Sequence, residues 1–223
     1  HNTVYAAIRT RGIYRSKSGG EPGTWEKLTN GVANTDNTAQ AFLRCSVAAG
    51  PAIAPSTTAT LYASFERTSN SSIFGFYQSK DGGDSWTQVT TPPTEFAESP
   101  QAGYNMFIAV DPTDGNTVYY GGQYDYSRFA NCLVRSTNGG TSWSDMNSNA
   151  LHPDTHAIAV ANNRNILFTG NDGGIWRTDN ATATNVTWTS LNPNLHLTQF
   201  QSIALHPTDP NIPDIDLFAM GIA

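Results

Sequence analysis

The sequence carries little charge, and only a small part of that charge is positive. Asp, Glu, Lys and Arg make up 13% of the 223 residues, three of the twelve basic residues are lysine, and the formal net charge is −6. Because nucleic-acid binding needs a basic face, this composition argues against a nucleic-acid partner. Few lysines beside many Ser, Thr and Asn residues are typical of exported bacterial proteins. We therefore expect an extracellular, periplasmic or cell-surface location.

Long apolar runs and cysteines are also scarce. No apolar stretch approaches the ~20 residues of a membrane-spanning helix, so no span is expected in this segment. The two cysteines, Cys45 and Cys132, fall on the first strand of one predicted sheet and the third strand of the next. Since strands lie ~4.8 Å apart, this separation exceeds the ~7 Å limit between the Cα atoms of a disulfide. We predict two buried free thiols.

Common catalytic and cofactor motifs are missing as well. The sequence contains no phosphate-binding loop, no Ser-His-Asp elbow and no Cys-rich metal motif. Consequently, no cofactor and no catalytic residue is predicted from motifs of this kind.

One short segment, 79–86, has the composition of a self-contained hairpin turn. It joins the apolar runs 73–78 and 86–89, and Asp-Gly-Gly supplies the positive φ angles that a tight turn needs. Short side chains such as Ser79 and Asp81 can accept hydrogen bonds from backbone N–H groups two residues on. Trp86 begins the next predicted strand and can fold over the turn.

The segment recurs along the chain. Residues 136–143 repeat it with Asn138 in place of Asp, and we expect Trp86 and Trp143 each to be largely buried against its own turn. Residues 16–25 form a version with a longer spacing before Trp25, and residues 178–188 form a version without the Gly pair. We call these four segments the repeat turns. Their recurrence between apolar runs predicts an all-β chain made of one repeated antiparallel sheet.

The repeat turns resemble the Asp-box, or BNR, repeat, whose pattern is Ser/Thr-x-Asp-x-Gly-x-x-Trp. The resemblance implies a β-propeller of four-stranded antiparallel blades with each box between the third and fourth strands, as in sialidases, xyloglucanases, sortilin-like receptors and uncharacterised exported bacterial proteins. Its structural residues here are Ser79, Asp81, Gly83, Trp86, Ser136, Asn138, Gly140 and Trp143.

The spacing of the repeats predicts about four and a half blades. Their expected bounds are 1–29, 41–91, 104–147, 155–191 and 199–223, which together form one incomplete propeller domain. The first blade is expected to lack its first strand, and a turn is expected at 111–116 in the third blade. The chain is expected to be part of a longer protein with seven or eight blades. Inserted loops are predicted at 30–40 and 92–104, and such loops carry function more often than strands do.

The best candidate site lies just before the fourth blade. His152, Asp154 and His156 would share one face if this segment is extended, and Asp172 could reach them from the following turn. Two imidazoles and a carboxylate suit a transition metal, although binding of another ligand and a purely structural role for these groups remain open. A second candidate loop contains Tyr124 and Asp125, an aromatic ring beside an acid as in sugar-binding loops.

The sequence supports three functions. We expect a binding or scaffold module for a protein or glycan partner, without catalysis. One alternative is a glycoside hydrolase of the xyloglucanase or sialidase kind, with catalytic acids partly outside this segment. However, the arginine segment typical of sialidases is absent, and no acid pair can be matched. The other alternative is a structural subunit of an extracellular assembly.

Overall fold

The computed structural model describes residues 2–33, 42–93, 101–123, 130–147, 151–161 and 163–193. Within these ranges the chain consists of strands and one four-residue helix, so the all-β prediction is confirmed. In chain order the elements are β1 (Val4–Ile8), β2 (Gly12–Ser16), β3 (Trp25–Leu28), β4 (Phe42–Gly50), β5 (Thr60–Arg67), β6 (Ile73–Ser79), β7 (Thr87–Val89), α1 (Ala102–Asn105), β8 (Phe107–Asp111), β9 (Asp114–Gly121), β10 (Leu133–Ser136), β11 (Ser144–Asp145), β12 (Thr155–Val160), β13 (Leu167–Asn171), β14 (Gly174–Thr178) and β15 (Thr189–Ser190).

The strands form four antiparallel sheets in which each strand pairs with its neighbour in sequence. The first sheet has three strands, in the order β1-β2-β3, and the other three sheets have four strands each, β4 to β7, β8 to β11 and β12 to β15. The first sheet therefore lacks a first strand, as predicted. These sheets are the blades of a partial β-propeller. The expected fifth blade, 199–223, lies outside the described residues.

Neighbouring blades pack face to face, which explains why their strands are apolar on both sides. In β5, every residue from Thr60 to Glu66 is buried, as expected for a strand covered on both faces. The first strands β4, β8 and β12 contact one another in turn. At the end of β4 the contact is so close that a side chain on Gly50 would collide with Val110 of β8.

The four repeat turns lie between the third and fourth strands of their blades, as predicted. In 79–86 the Ser79 hydroxyl accepts hydrogen bonds from the N–H groups of Asp81 (3.4 Å) and Gly83 (2.8 Å). The Asp81 carboxylate accepts from the N–H (2.9 Å) and hydroxyl (2.5 Å) of Ser85. Since all these partners lie within seven residues, the turn is stabilised by its own sequence.

The turn 136–143 uses the same hydrogen bonds with a different side chain, and the turns 16–25 and 178–188 use part of the set. Ser136 accepts from the N–H groups of Asn138 (3.3 Å) and Gly140 (2.9 Å), and Asn138 accepts from the N–H of Ser142 (2.9 Å). Ser16 and Thr178 begin their turns in the same way. In the turn 136–143, the amide oxygen of Asn138 therefore takes the role that the carboxylate oxygen of Asp81 has in 79–86, and the turn has the same hydrogen bonds.

The prediction that Trp86 and Trp143 are both buried against their own turns is confirmed for the first residue only. Trp86 is 6% exposed, and its Nε1 donates to Gly83 O at 3.2 Å in the same turn. Trp143 is only partly buried, and its Nε1 donates to Thr90 O (2.9 Å) of the preceding blade. Trp143 differs because its ring packs edge-on against Phe76 of that blade, with centroids 5.3 Å apart.

Several local predictions also need comment. The turn expected at 111–116 is shorter, because β8 continues to Asp111 and β9 begins at Asp114. The helix α1 was not predicted. Cys45 and Cys132 are both free and buried, which confirms that prediction. Within the described ranges, no helix is long and apolar enough to cross a membrane.

The first strands run in the same direction and therefore define two ends of the molecule. Arg44, near the start of β4, donates to the carbonyl of Tyr104 just before β8, whereas Gly50, at the end of β4, packs on Val110 near the end of β8. We call the end at which the first strands begin the entry face. The repeat turns lie at the opposite end, the repeat-turn face.

Candidate functional site

The candidate site lies on the entry face, where the third and fourth blades meet. The helix α1 precedes β8 and presents Tyr104 and Asn105 towards the residues that precede and begin β12. Tyr104 is 52% exposed. Its ring meets the ring of His156 edge-on, with centroids 4.7 Å apart and an interplanar angle of 77°. The site therefore has an exposed aromatic surface at its centre.

His156 is fixed from its other side by the turn between β13 and β14. Its Nε2 lies 2.9 Å from Asp172 Oδ1, and both side chains are about one-third exposed, 33% and 27%. The predicted approach of Asp172 to the histidine is therefore present. A carboxylate that hydrogen-bonds one imidazole nitrogen sets the ring orientation and leaves the other nitrogen for a ligand.

Asp154 is held separately, by the helix of the preceding blade. Its carboxylate accepts a hydrogen bond from Asn105 Nδ2, and its backbone is in the left-handed region, with φ = 64°. The condition for a shared face, an extended segment from 152 to 156, is therefore not met, and β12 begins only at Thr155. His152, Asp154 and His156 consequently do not alternate along one strand face.

Burial raises the pKa of Asp154 above its ordinary value, and the negative charge of Asp172 raises it further. The hydrogen bond from Asn105 and the nearby His156 and His152 oppose this change without cancelling it. A carboxyl group with a raised pKa beside a second acid can retain a proton at a pH where an ordinary aspartate has lost it.

Residues of the second blade hold α1 in place through hydrogen bonds. Glu66 is 2% exposed, and its carboxylate accepts hydrogen bonds from the N–H of Arg44 (2.9 Å) and the hydroxyl of Ser71 (2.9 Å). Arg44 in turn donates from Nη1 to the carbonyls of Gly103 (3.1 Å) and Tyr104 (2.6 Å). We call the exposed ring of Tyr104 the Tyr104 platform. The backbone of Tyr104 is therefore held by the second blade, although Tyr104 itself belongs to the third.

Two predicted site features are not present or lie elsewhere. His152 is exposed, and its Nδ1 lies 3.1 Å from the carbonyl of Pro153. In the part of the chain that the structure describes, no group of three His, Cys, Asp or Glu side chains could hold a metal ion. The metal alternative for His152, Asp154 and His156 therefore has no geometric support. Tyr124 and Asp125 lie outside the described residues.

Sequence reasoning missed Tyr104 and Asn105 as individual site residues. The available signal was the inserted loop predicted at 92–104, which includes Tyr104. It did not identify the partners, because Asn105 and Asp154 are 49 residues apart and His156 belongs to another blade. Such contacts follow from how the blades pack, which a local pattern does not show.

Comparisons with solved structures support the propeller fold. The GH74 xyloglucanase from Xanthomonas campestris superposes with a TM-score of 0.57 at 15% sequence identity, covering 84% of this chain and 27% of that chain. An ancestral GH74 enzyme superposes with a TM-score of 0.51 at 19% identity, covering 84% and 22%. YCF48 from Cyanidioschyzon merolae gives a TM-score of 0.45 at 14% identity, covering 84% and 67%, which is too low to support an inference.

These comparisons show a similar fold. The chain spans about a quarter of the length of the two GH74 structures, and the identities are below 20%. No protein-family model matches the sequence, and no curated protein matches it.

Proposed function

We propose that this chain is the glycan-binding part of a propeller and that the glycan lies on the entry face over Tyr104. The observation that carries the proposal is the half-exposed Tyr104 ring, which has the His156 ring against its edge and two carboxylates nearby, Asp154 and Asp172. The alternative that the same face binds a protein is an outcome of the test below.

The chemistry of the site suits a sugar. The apolar C–H face of a sugar ring can pack on an exposed aromatic ring, which contributes contact area at a low cost in conformational entropy. Hydroxyl groups at the ring edge both donate and accept hydrogen bonds. The carboxylates of Asp172 and Asp154 can both accept from such hydroxyl groups. Binding sites commonly combine such a surface with a few convergent polar groups.

The similarity in fold suggests which glycan to test first. One superposable structure is that of a xyloglucanase, so xyloglucan oligosaccharides are the first probe. We also propose that the repeat turns are Asp-box repeats, since their hydrogen bonds follow the Ser-x-Asp pattern. Export of the protein to the cell surface or beyond would bring it to such a ligand, and this location is likewise a proposal.

Binding is best measured by calorimetric titration of the chain with xyloglucan oligosaccharides, after a wider glycan array. Tyr104→Ala should weaken binding about tenfold or more, because the platform is lost. Trp25→Ala is the matched control: Trp25 is also an exposed aromatic (38%), but it lies on the repeat-turn face. Equal affinity of the wild type and Tyr104→Ala, or binding to no glycan on the array, would contradict the proposal.

A hydrolytic role is the second candidate, and the raised pKa of Asp154 is the observation that favours it. Glycoside hydrolases pair a carboxylic acid of raised pKa with a second carboxylate, and Asp172 lies near enough to affect Asp154 electrostatically. Release of reducing ends from xyloglucan, lost in Asp154→Asn with binding retained, would support it. Retained release in Asp154→Asn would assign the activity to another group.

A further inference from the structure

Each blade carries an aromatic residue on its second strand, in register with a long polar residue on its third strand, immediately before the repeat turn. The four pairs are Tyr5 with Arg15, Tyr62 with Gln78, Tyr119 with Arg135 and Phe168 with Arg177. In the first and third blades, the arginine reaches across to the repeat turn of the next blade. The repeats therefore allow one blade interface to be compared with another.

At the interface of the first and second blades, all three guanidinium nitrogens of Arg15 are paired. Nη1 donates to Gly82 O (2.7 Å), Nη2 to Asp84 Oδ1 (2.6 Å) and Nε to Glu26 Oε1 (2.7 Å). The hydroxyl of Tyr5 donates to the same Gly82 carbonyl at 2.9 Å. The buried charge of Arg15 is thus compensated by two carboxylates.

The interface of the third and fourth blades has the same backbone contacts without the carboxylates. Arg135 donates from Nη1 to Ala181 O and from Nη2 to Ala183 O (3.1 Å). Counted from the first residue of each turn, these positions correspond to Gly82 and Asp84. Ser144 pairs with Arg135 as Glu26 pairs with Arg15. Both acids of the first interface are therefore replaced by residues without charge.

Two buried donors are left without a partner as a result. Arg135 Nε and the hydroxyl of Tyr119, a fully buried residue, make no hydrogen bond within the described part of the chain. A buried donor without a partner costs about 1–3 kcal/mol, so such groups are normally satisfied by a ligand or water. The two donors belong to paired residues on adjacent strands.

Both residues line a cleft of about 350 Å³ on the repeat-turn face. The cleft contains a second arginine, Arg164, but this side chain is already paired with Asp111 (2.7 Å) and Asp114 (3.0 Å). Among the described residues, no carboxylate pairs with Arg135. Because two carboxylates surround Arg164, the cleft and its rim carry no net charge once Arg135 is included. What Arg135 offers is an unpaired charged N–H, next to the unpaired hydroxyl of Tyr119, and two such donors favour a charged oxygen acceptor.

We propose that this cleft binds the carboxylate of a small molecule, which supplies to Arg135 the kind of acceptor that Glu26 supplies to Arg15. Arg135 Nε and the Tyr119 hydroxyl donate to its oxygens. Both donor atoms are closed to solvent, so the ligand enters with a side-chain adjustment of Arg135 or of Arg164, whose side chain is 38% exposed. This site lies at the opposite end of the blades from Tyr104 and is independent of the proposed glycan binding.

The test uses sodium acetate as the probe, with sodium chloride at equal ionic strength as the reference. Acetate should raise the thermal midpoint of the full chain and shift the ¹⁵Nε resonance of Arg135, because a ligand that binds only the folded state stabilises it. Arg135→Gln, which copies Gln78 of the second blade, should lose both responses. Arg177→Gln is the matched control and should retain them, since Arg177 is already paired with Asp179 at 2.5 Å.

A second variant tests the replacement directly. Ser144→Glu places a carboxylate where Glu26 stands in the first blade, at an exposed position. This variant should have a higher thermal midpoint than the wild type in chloride and should respond to acetate at least about tenfold more weakly. An acetate response that is unchanged in Arg135→Gln or in Ser144→Glu would overturn the proposal. Equal thermal midpoints of the wild type in acetate and in chloride would also overturn the proposal, because the cleft would then hold only water.

Discussion

The two ends of the blades are built in different ways. On the repeat-turn face, the hydrogen bond from the N–H two residues on to the first hydroxyl of the turn occurs four times, and each of these bonds lies within one short segment. On the entry face, Tyr104, Asn105 and Arg44 each make a contact with another blade that has no counterpart in the other repeats described. Repetition along the chain therefore identifies the elements of the fold, and a departure from it identifies a candidate site.

The same lesson applies within the repeat-turn face. Arg15 and Arg135 occupy equivalent positions, yet only Arg15 is paired with carboxylates. A single blade would not show this difference. It appears only when the interface of the first and second blades is compared with that of the third and fourth.

The largest expected effect separates two equivalent tryptophans of the repeat turns. Trp86→Ala should lower the free energy of unfolding by about 3–5 kcal/mol, because a buried ring is replaced by a cavity. Trp143→Ala should lower it by about 1–2 kcal/mol, because this ring is already partly in water. Urea unfolding followed by circular dichroism measures both values. Equal losses in the free energy of unfolding would show that the two tryptophan rings contribute equally, contrary to their different burial.

A smaller effect should separate the two faces. Ser79→Ala removes the acceptor of two backbone N–H groups at a residue that is 1% exposed, and should cost about 1–2 kcal/mol. Tyr104→Ala, on the entry face, should change the free energy of unfolding by no more than about 0.5 kcal/mol. The same urea titration provides both numbers. A greater loss for Tyr104→Ala would mean that the platform is part of the framework.

The smallest expected effect is an opposite pH dependence of the stability contributed by two carboxyl groups, those of Asp81 and Asp154. Hydrogen bonds from Ser85 and Ser79 outweigh burial and lower the pKa of Asp81, so its contribution to stability is present above the unfolded pKa of about 3.9 and is lost as pH falls through the folded value. The pKa of Asp154 is raised. Its protonated form favours folding, and this contribution is lost as pH rises from about 3.9 through the folded value.

The two amide variants test these signs. At neutral pH, Asp81→Asn should lower the free energy of unfolding slightly, whereas Asp154→Asn should raise it slightly, with both differences shrinking in acid. Unfolding midpoints in urea from about pH 3 to pH 7 are the measurement. Asn138, which fills the position of Asp81 in another turn, shows that the first substitution is compatible with the turn. Parallel pH profiles for the two variants would contradict the assigned directions.

Much of the fold could be predicted because its determinants are local. The strands were located by apolar runs, and the repeat turns by Ser, Asp, Gly and Trp at fixed spacing, since the hydrogen bonds of Ser79 and Asp81 reach only a few residues along the chain. The prediction was wrong where a neighbouring blade takes part. Trp143 bonds to Thr90 of the preceding blade, and Asp154 leaves the extended conformation at the place where Asn105 meets it.

The sequence by itself thus determined the blade, its strand order and the position of each repeat turn. Only the tertiary structure decided which residues form the candidate site and which arginine lacks a partner. The physical reason is that a turn needs groups a few residues apart, whereas His156 with Asp172, Asn105 with Asp154 and Arg135 with Ala183 meet across 16 to 49 residues. Those contacts form only when strands pair and blades pack.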